Sequence, residues 1–122
     1  MYHKKVIEGL FQTALDNTLL TELIHPNNNP NDPDLPYSLA FAKIAPGKQS
    51  TAHKLRHSTE VFIFTNGTGN MIIEQEKEVV SKGSIIHVPA NKTQYLINTG
   101  ETNLEFYCIV SPPWNKEDDI SV

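Results

Sequence analysis

From Tyr37 to Val110 the apolar residues fall in short runs, each closed by residues that favour a turn. YSLAFAKIA stops at Pro46-Gly47, and EVFIFT (Glu60 to Thr65) stops at Asn66-Gly67. Asn70–Ile73 and Glu76–Val80 flank Glu74-Gln75; Ser84–Val88 follows Lys82-Gly83; Gln94–Ile97 ends at Asn98-Thr99-Gly100. In NLEFYCIV, strict alternation puts Leu104, Phe106, Cys108 and Val110 on one face. Period-2 runs separated by turn signals every ~8–12 residues predict antiparallel strands in a sandwich or barrel.

The first 36 residues read differently. Val6, Ile7, Leu10, Phe11 and Ala14 have the spacing of a short amphipathic helix. Leu19–Ile24 is predicted as a strand entered through the turn-prone Asp16-Asn17. HPNNNPNDPDLP, His25 to Pro36, holds four prolines and four asparagines, which remove backbone donors and favour turns, so it is a loop. At the other end, SPPWNKEDDISV opens on two prolines that cannot extend a central strand, with Trp114 available to pack back. The division is therefore residues 1–36, an N-terminal extension and loop, and 37–122, a barrel with its C-terminal tail, within one domain. The 122 residues suffice for one hydrophobic core without disulfides.

Ten basic residues face fourteen acidic ones, a net charge of −4, the wrong sign for a nucleic-acid or anionic-membrane partner. No apolar run approaches the ~18 residues of a membrane span, and MYHKKVIEGLF lacks the apolar core of a secretory signal. A single cysteine cannot staple a domain, so a reducing cytoplasm is the expected compartment. There is no glycine-rich phosphate loop, no CxxC pair and no Ser/His/Asp signal.

Candidate chemistry concentrates between Gly47 and Gly67. On an extended strand His53, Leu55 and His57 share one face, and Lys54 and Arg56 the other. Residues i and i+4 stand about 13 Å apart on a strand, so His53 and His57 can share an ion only if the chain bends at Arg56–Ser58. Glu60 and Phe62 share a face of the following strand. Burial would raise the Glu60 pKa and suit it to general acid–base work; His57 is a second candidate for moving a proton. Arg56, the only arginine, offers a planar fork for a substrate carboxylate or phosphate, although alternation turns it towards the surface. His87, between Ile86 and Val88, reads as structural or outward-facing. Tyr95 and Tyr107 read as packing residues, and Cys108 as a small buried hydrophobe.

The spacing Gly47-x5-His53-x6-Glu60-x6-Gly67, followed by Gly83-x5-Pro89, Gln94 and Asn98, resembles the two motifs of the cupin superfamily. The resemblance covers about Tyr37–Val110 and implies an all-β fold, an antiparallel jelly-roll β-barrel with its site inside. Residue by residue, the family's metal ligands fall on His53, Glu60 and Gln94. Leu55 stands where a second histidine is usual, and Gln94 where a third is usual. One imidazole, one carboxylate and one amide oxygen suit a divalent transition metal (zinc, manganese, iron or nickel) with open positions for substrate. The alternative is a metal-free pocket in which His53 and Gln94 bond an organic ligand.

The expected pocket is lined by His53, Leu55, Glu60, Phe62, Gln94 and Phe106, with Leu55, Phe62, Phe106 and Arg56 contacting substrate. Three functions follow from the resemblance. One is a metal-dependent enzyme of isomerase, lyase, cyclase or oxygenase type acting on an oxygen-rich small molecule. The others are a metal-free binding or sensing barrel, and a barrel used for assembly. Pairing into homodimers through outer strands is also implied.

Overall fold

The structure, a computed structural model, describes residues 1–7 and 10–122. Its strands in chain order are β1 (Gln12–Thr13), β2 (Leu19–Ile24), β3 (Ser38–Ile44), β4 (His53–Leu55), β5 (Thr59–Asn66) and β6 (Thr68–Ile73). They continue with β7 (Glu76–Ser81), β8 (Ile85–Val88), β9 (Gln94–Asn98), β10 (Leu104–Ser111) and β11 (Asp119–Ser121). Two antiparallel sheets result, ordered β1-β2-β3-β10-β5-β8 and β11-β4-β9-β6-β7. This is the all-β jelly-roll arrangement. None of its helices is long and apolar enough to cross a membrane, among the described residues.

The alternation read in the sequence becomes the core. β10 buries every second residue, from Leu104 to Val110, and β5 does the same from Glu60 to Phe64. Phe62, Phe64 and Phe106 meet with centroids 5.4–6.1 Å apart, within the range of favourable ring contacts. Met71, Val80, Val88, Leu96 and Leu104 close around them. Each such side chain contributes about 1.5–3 kcal/mol by leaving water. Among the described residues no buried side-chain nitrogen or oxygen lacks a hydrogen-bond partner. The Asn98 amide donates to Ile44 O and Thr102 O, both at 2.8 Å, and its oxygen accepts from Gly100 N at 2.9 Å.

Turn chemistry agrees with the sequence at most corners. Gly47, Gly67 and Gly83 all adopt positive φ, the left-handed conformation that glycine takes without strain. At Gly67 glycine is also required by space, because a Cβ would lie 2.5 Å from Asn103 O.

One expectation fails here. The N-terminal apolar residues build no α-helix where the structure describes them: Leu10 lies in a 3-10 turn, and Gln12–Thr13 is a strand, paired through Gln12↔Leu20 and Thr13↔Leu19. Phe11 packs edge-on against Phe41, 6.0 Å between centroids. Contact with the sheet thus outweighs local periodicity. Residues 8 and 9 of that expected helix lie outside the described residues. The tail follows its expectation: β10 ends at Ser111, before the two prolines, and Trp114 packs back, its N donating to Ser38 Oγ and its Nε1 to Asp119 Oδ2. A 3-10 turn at Lys116–Asp118, capped by the Asn115 side chain, leads into β11, which pairs with β4.

The proline- and asparagine-rich loop is a loop, as expected, and it is tied down. The Asp32 carboxylate accepts from His25 N, Asn29 Nδ2, Tyr2 OH and Lys4 Nζ. The buried His25 ring reaches Trp114 O at 2.6 Å, joining this loop to the tail.

Candidate functional site

Strand pairing assembles the site. β4 and β9 bring His53 opposite Gln94, and β11 runs along the other side of β4 with Ser121 opposite His53. On the facing sheet, Glu60 sits near the start of β5 beside Val110 of β10. These side chains line a cavity of about 590 Å³ that also takes apolar residues from both sheets, Leu55 and Leu96 from one and Phe62 and Phe106 from the other.

His53 is held at Nδ1 and has a second carboxylate near Nε2. Nδ1 bonds Asp119 Oδ1 at 2.8 Å, and Nε2 lies 3.5 Å from Asp16 Oδ2. Asp119 is fixed in turn by Trp114 Nε1, which donates to its second oxygen at 3.0 Å. Asp16 sits on the turn before β2, where its Oδ1 accepts from Thr18 N and Thr18 Oγ1. That turn is pinned to the chain entering β4: Thr51 N donates to Asp16 O, and Asn17 Nδ2 to Thr51 Oγ1.

Across the cavity, Glu60 Oε1 accepts from Gln94 Nε2 at 2.9 Å, and the buried Cys108 side chain lies near the same carboxyl group. Burial raises the Glu60 carboxyl from 4.5 to about 7, against the pull of Gln94 and of the His53 charge. Burial also raises the Cys108 thiol, with the nearby Glu60 charge adding to it. For His53, burial alone would lower the pKa. The hydrogen bond and charge of Asp119, then Asp16 and Glu60, outweigh burial and raise it. Asp119 moves the opposite way: burial works to raise it, but the His53 and Trp114 hydrogen bonds bring it below the usual carboxylate range.

Of the residues singled out in the sequence, His53, Leu55, Glu60, Phe62, Gln94 and Phe106 all face this cavity. His57 and Arg56 do not. The chain bends at Arg56–Ser58, but outward. His57 N and Ser58 N both donate to the Asp118 carboxylate, and the His57 ring bonds Asp118 as well. The His57 side chain is left 76% exposed, in a separate outer groove that also contains Arg56. Neither residue can serve the cavity as proton carrier or substrate clamp. His87 is exposed and pairs with Thr59.

The metal expectation meets a donor set that does not fit a resident ion. His53, Glu60 and Gln94 share a cavity, but Gln94 gives its N–H to Glu60 and so holds the carboxylate that would have to bind the metal. Among the described residues no three His, Cys, Asp or Glu are grouped to hold an ion. None of their buried side-chain nitrogens or oxygens lacks a hydrogen-bond partner. Asp16 and Asp119, by contrast, carry no site motif in the sequence. Asp119 is 66 residues from His53 in the chain, and the only local signal at Asp16 is its turn.

Comparison with known proteins agrees with this architecture. An uncharacterized protein of Methanocaldococcus jannaschii is 32% identical over 103 residues, covering 84% of this chain and 80% of its own length. The plu4264 protein of Photorhabdus luminescens shares the fold with a TM-score of 0.76 at 22% identity, over 95% of this chain and 89% of its own. A Streptomyces PAC13 variant with uridine gives a TM-score of 0.75 at 16% identity, over 100% of this chain and 92% of its own. The family described as "Cupin domain" matches residues 40–110, a segment that runs from within β3 to within β10 and includes His53, Glu60 and Gln94, and the chain belongs to that family.

Proposed function

We propose that this barrel binds a small organic molecule in its cavity and moves a proton on it, using Glu60 and the Asp119–His53 pair without a resident metal ion. The observation that carries the reading is the pairing of two acid–base groups on one enclosed space. A buried carboxyl titrates near neutrality, at about 7, and an imidazole is clamped by a carboxylate on its other nitrogen. A group whose pKa lies near the working pH exchanges protons most efficiently, and perturbed groups of this kind concentrate at functional sites. In the carboxylate form Glu60 takes a proton from the substrate; the His53 imidazolium returns one at Nε2 to the oxygen that departs or is reduced in bond order. The reaction class is therefore elimination, isomerisation or cyclisation of an oxygen-bearing compound. The uridine held by the Streptomyces PAC13 relative supports a small-molecule ligand of comparable size.

One observation favours a second reading. A carboxylate that bonds Nδ1 also orients histidines that bind metals through Nε2, and Asp16 Oδ2 lies 3.5 Å from that nitrogen.

One experiment separates the two. Untagged protein is analysed for metal by mass spectrometry, then treated with a chelator and incubated in D2O with a panel of hydroxy and keto compounds. The expected result is metal well below one ion per chain and deuterium incorporation that survives chelation but is lost in Glu60→Gln. Stoichiometric metal that disappears in His53→Ala, with incorporation abolished by the chelator, overturns the proposal in favour of the metal reading.

A further inference from the structure

The cavity is one-sided in charge. Its ionisable lining consists of Asp16, Glu22, Glu60, Cys108, Asp119 and His53, with no lysine or arginine among the described residues. The only arginine of the chain lies in the outer groove beside His57. His53 and Asp119, bonded at 2.8 Å, neutralise each other when the imidazole is protonated. Glu22 is engaged at both oxygens by Asn28 Nδ2 at the outer edge. Asp16 is a carboxylate whose nearest charged partner, the His53 ring, is already bonded to Asp119.

Its geometry is that of an anchor with one open side. Oδ1 is occupied by Thr18 N at 3.1 Å and Thr18 Oγ1 at 2.7 Å. Oδ2 accepts no hydrogen bond among the described residues, and its nearest charged neighbour, His53 Nε2, stands at 3.5 Å, beyond the usual N–H···O range of ~2.7–3.2 Å. The Asp16 side chain is 19% exposed, enough to meet a ligand and too little to be fully screened by water. The same cavity is lined by Phe62, Leu96, Phe106 and Trp114. An anionic group would enter against carboxylates with no cation to receive it. A cationic one would meet an open carboxylate oxygen and aromatic faces.

Resting on the reading of the cavity as a small-molecule site, we infer that it selects molecules carrying a protonated amine on an apolar body, with Asp16 as the residue that sets this preference. The test uses three probes of one shape and different charge: phenethylamine, 2-phenylethanol and phenylacetate. Each is titrated into 15N-labelled wild type and Asp16→Asn, following the amide signals of cavity residues. The asparagine side chain in the variant keeps an oxygen for Thr18, so the turn is retained.

The expected result is that wild type binds phenethylamine at least about tenfold tighter than 2-phenylethanol, the advantage of one partly buried opposite charge after its desolvation, and phenylacetate most weakly. In Asp16→Asn, amine affinity should fall to that of the alcohol while alcohol affinity stays unchanged, which also shows that the variant is folded. Phenylacetate binding as well as the amine, an amine preference that survives in Asp16→Asn, or no binding of any probe overturns the inference. The deuterium-incorporation experiment decides the proton-transfer reading separately, so the two can fail independently.

Discussion

Replacing Glu60 by glutamine should change how stability depends on pH, and the size of the change follows from the site. In the folded barrel Glu60 keeps its proton up to about 7, whereas the unfolded chain releases it near 4.5. Between those values the folded state binds more protons, so raising the pH favours unfolding. The contribution is fully present below 4.5 and fully lost above about 7. At 1.36 kcal/mol per pH unit the loss is about 3 kcal/mol, a large share of the ~5–15 kcal/mol that holds a domain folded. Glutamine is nearly isosteric. It can accept from Gln94 and donate to the Cys108 sulfur, and it has no charge to desolvate.

Urea unfolding at several pH values from 5 to 8 is the assay, with wild type beside Glu60→Gln. His53, raised in the folded state, also loses stabilisation as pH rises through its folded pKa, but it does so in both proteins. Asp119, lowered, acts only at acid pH below this window. The difference between the two proteins should therefore move by about 2.5 kcal/mol in favour of the variant from pH 5 to 8, the rest of the change lying below pH 5. Two parallel profiles would mean that Glu60 ionises at its ordinary value, and the desolvation argument would be wrong.

Two further outcomes are expected. Asp119→Asn removes the charge that most strongly supports the His53 imidazolium, so an NMR titration should show the His53 midpoint falling below that of wild type; an unchanged midpoint would show that Asp119 does not control it. Gly67→Ala places a Cβ 2.5 Å from Asn103 O at φ +87°, whereas Gly83→Ala, at φ +93°, meets nothing within 4 Å. Thermal unfolding should then show a loss of about 1 kcal/mol for Gly83→Ala from backbone strain, and at least about 2 kcal/mol for Gly67→Ala from strain plus contact; equal losses would refute the steric part.

The strands of the barrel were legible because their signals are local. Alternation in EVFIFT and NLEFYCIV and the glycine turns at Gly47, Gly67 and Gly83 need no distant partner to be read. The family spacing likewise placed His53, Glu60 and Gln94 on one interior. The direction of the bend at Arg56–Ser58 was not legible, since it depends on Asp118 accepting from two successive backbone amides far along the chain. The N-terminal periodicity favoured a helix, but pairing of β1 with β2 and packing of Phe11 on Phe41 took those residues into the sheet.

Local sequence thus determined the strands, the turns and the inward faces, because a two-residue period and a left-handed glycine are properties of a few neighbouring residues. Only the tertiary structure decided the chemistry. It brought Asp16 and Asp119 to the two sides of His53 and turned the Gln94 amide onto Glu60. It also left Arg56 and His57 outside. Charge and proton affinity depend on what surrounds a group in space, and those surroundings are supplied by strands that sequence separation keeps apart.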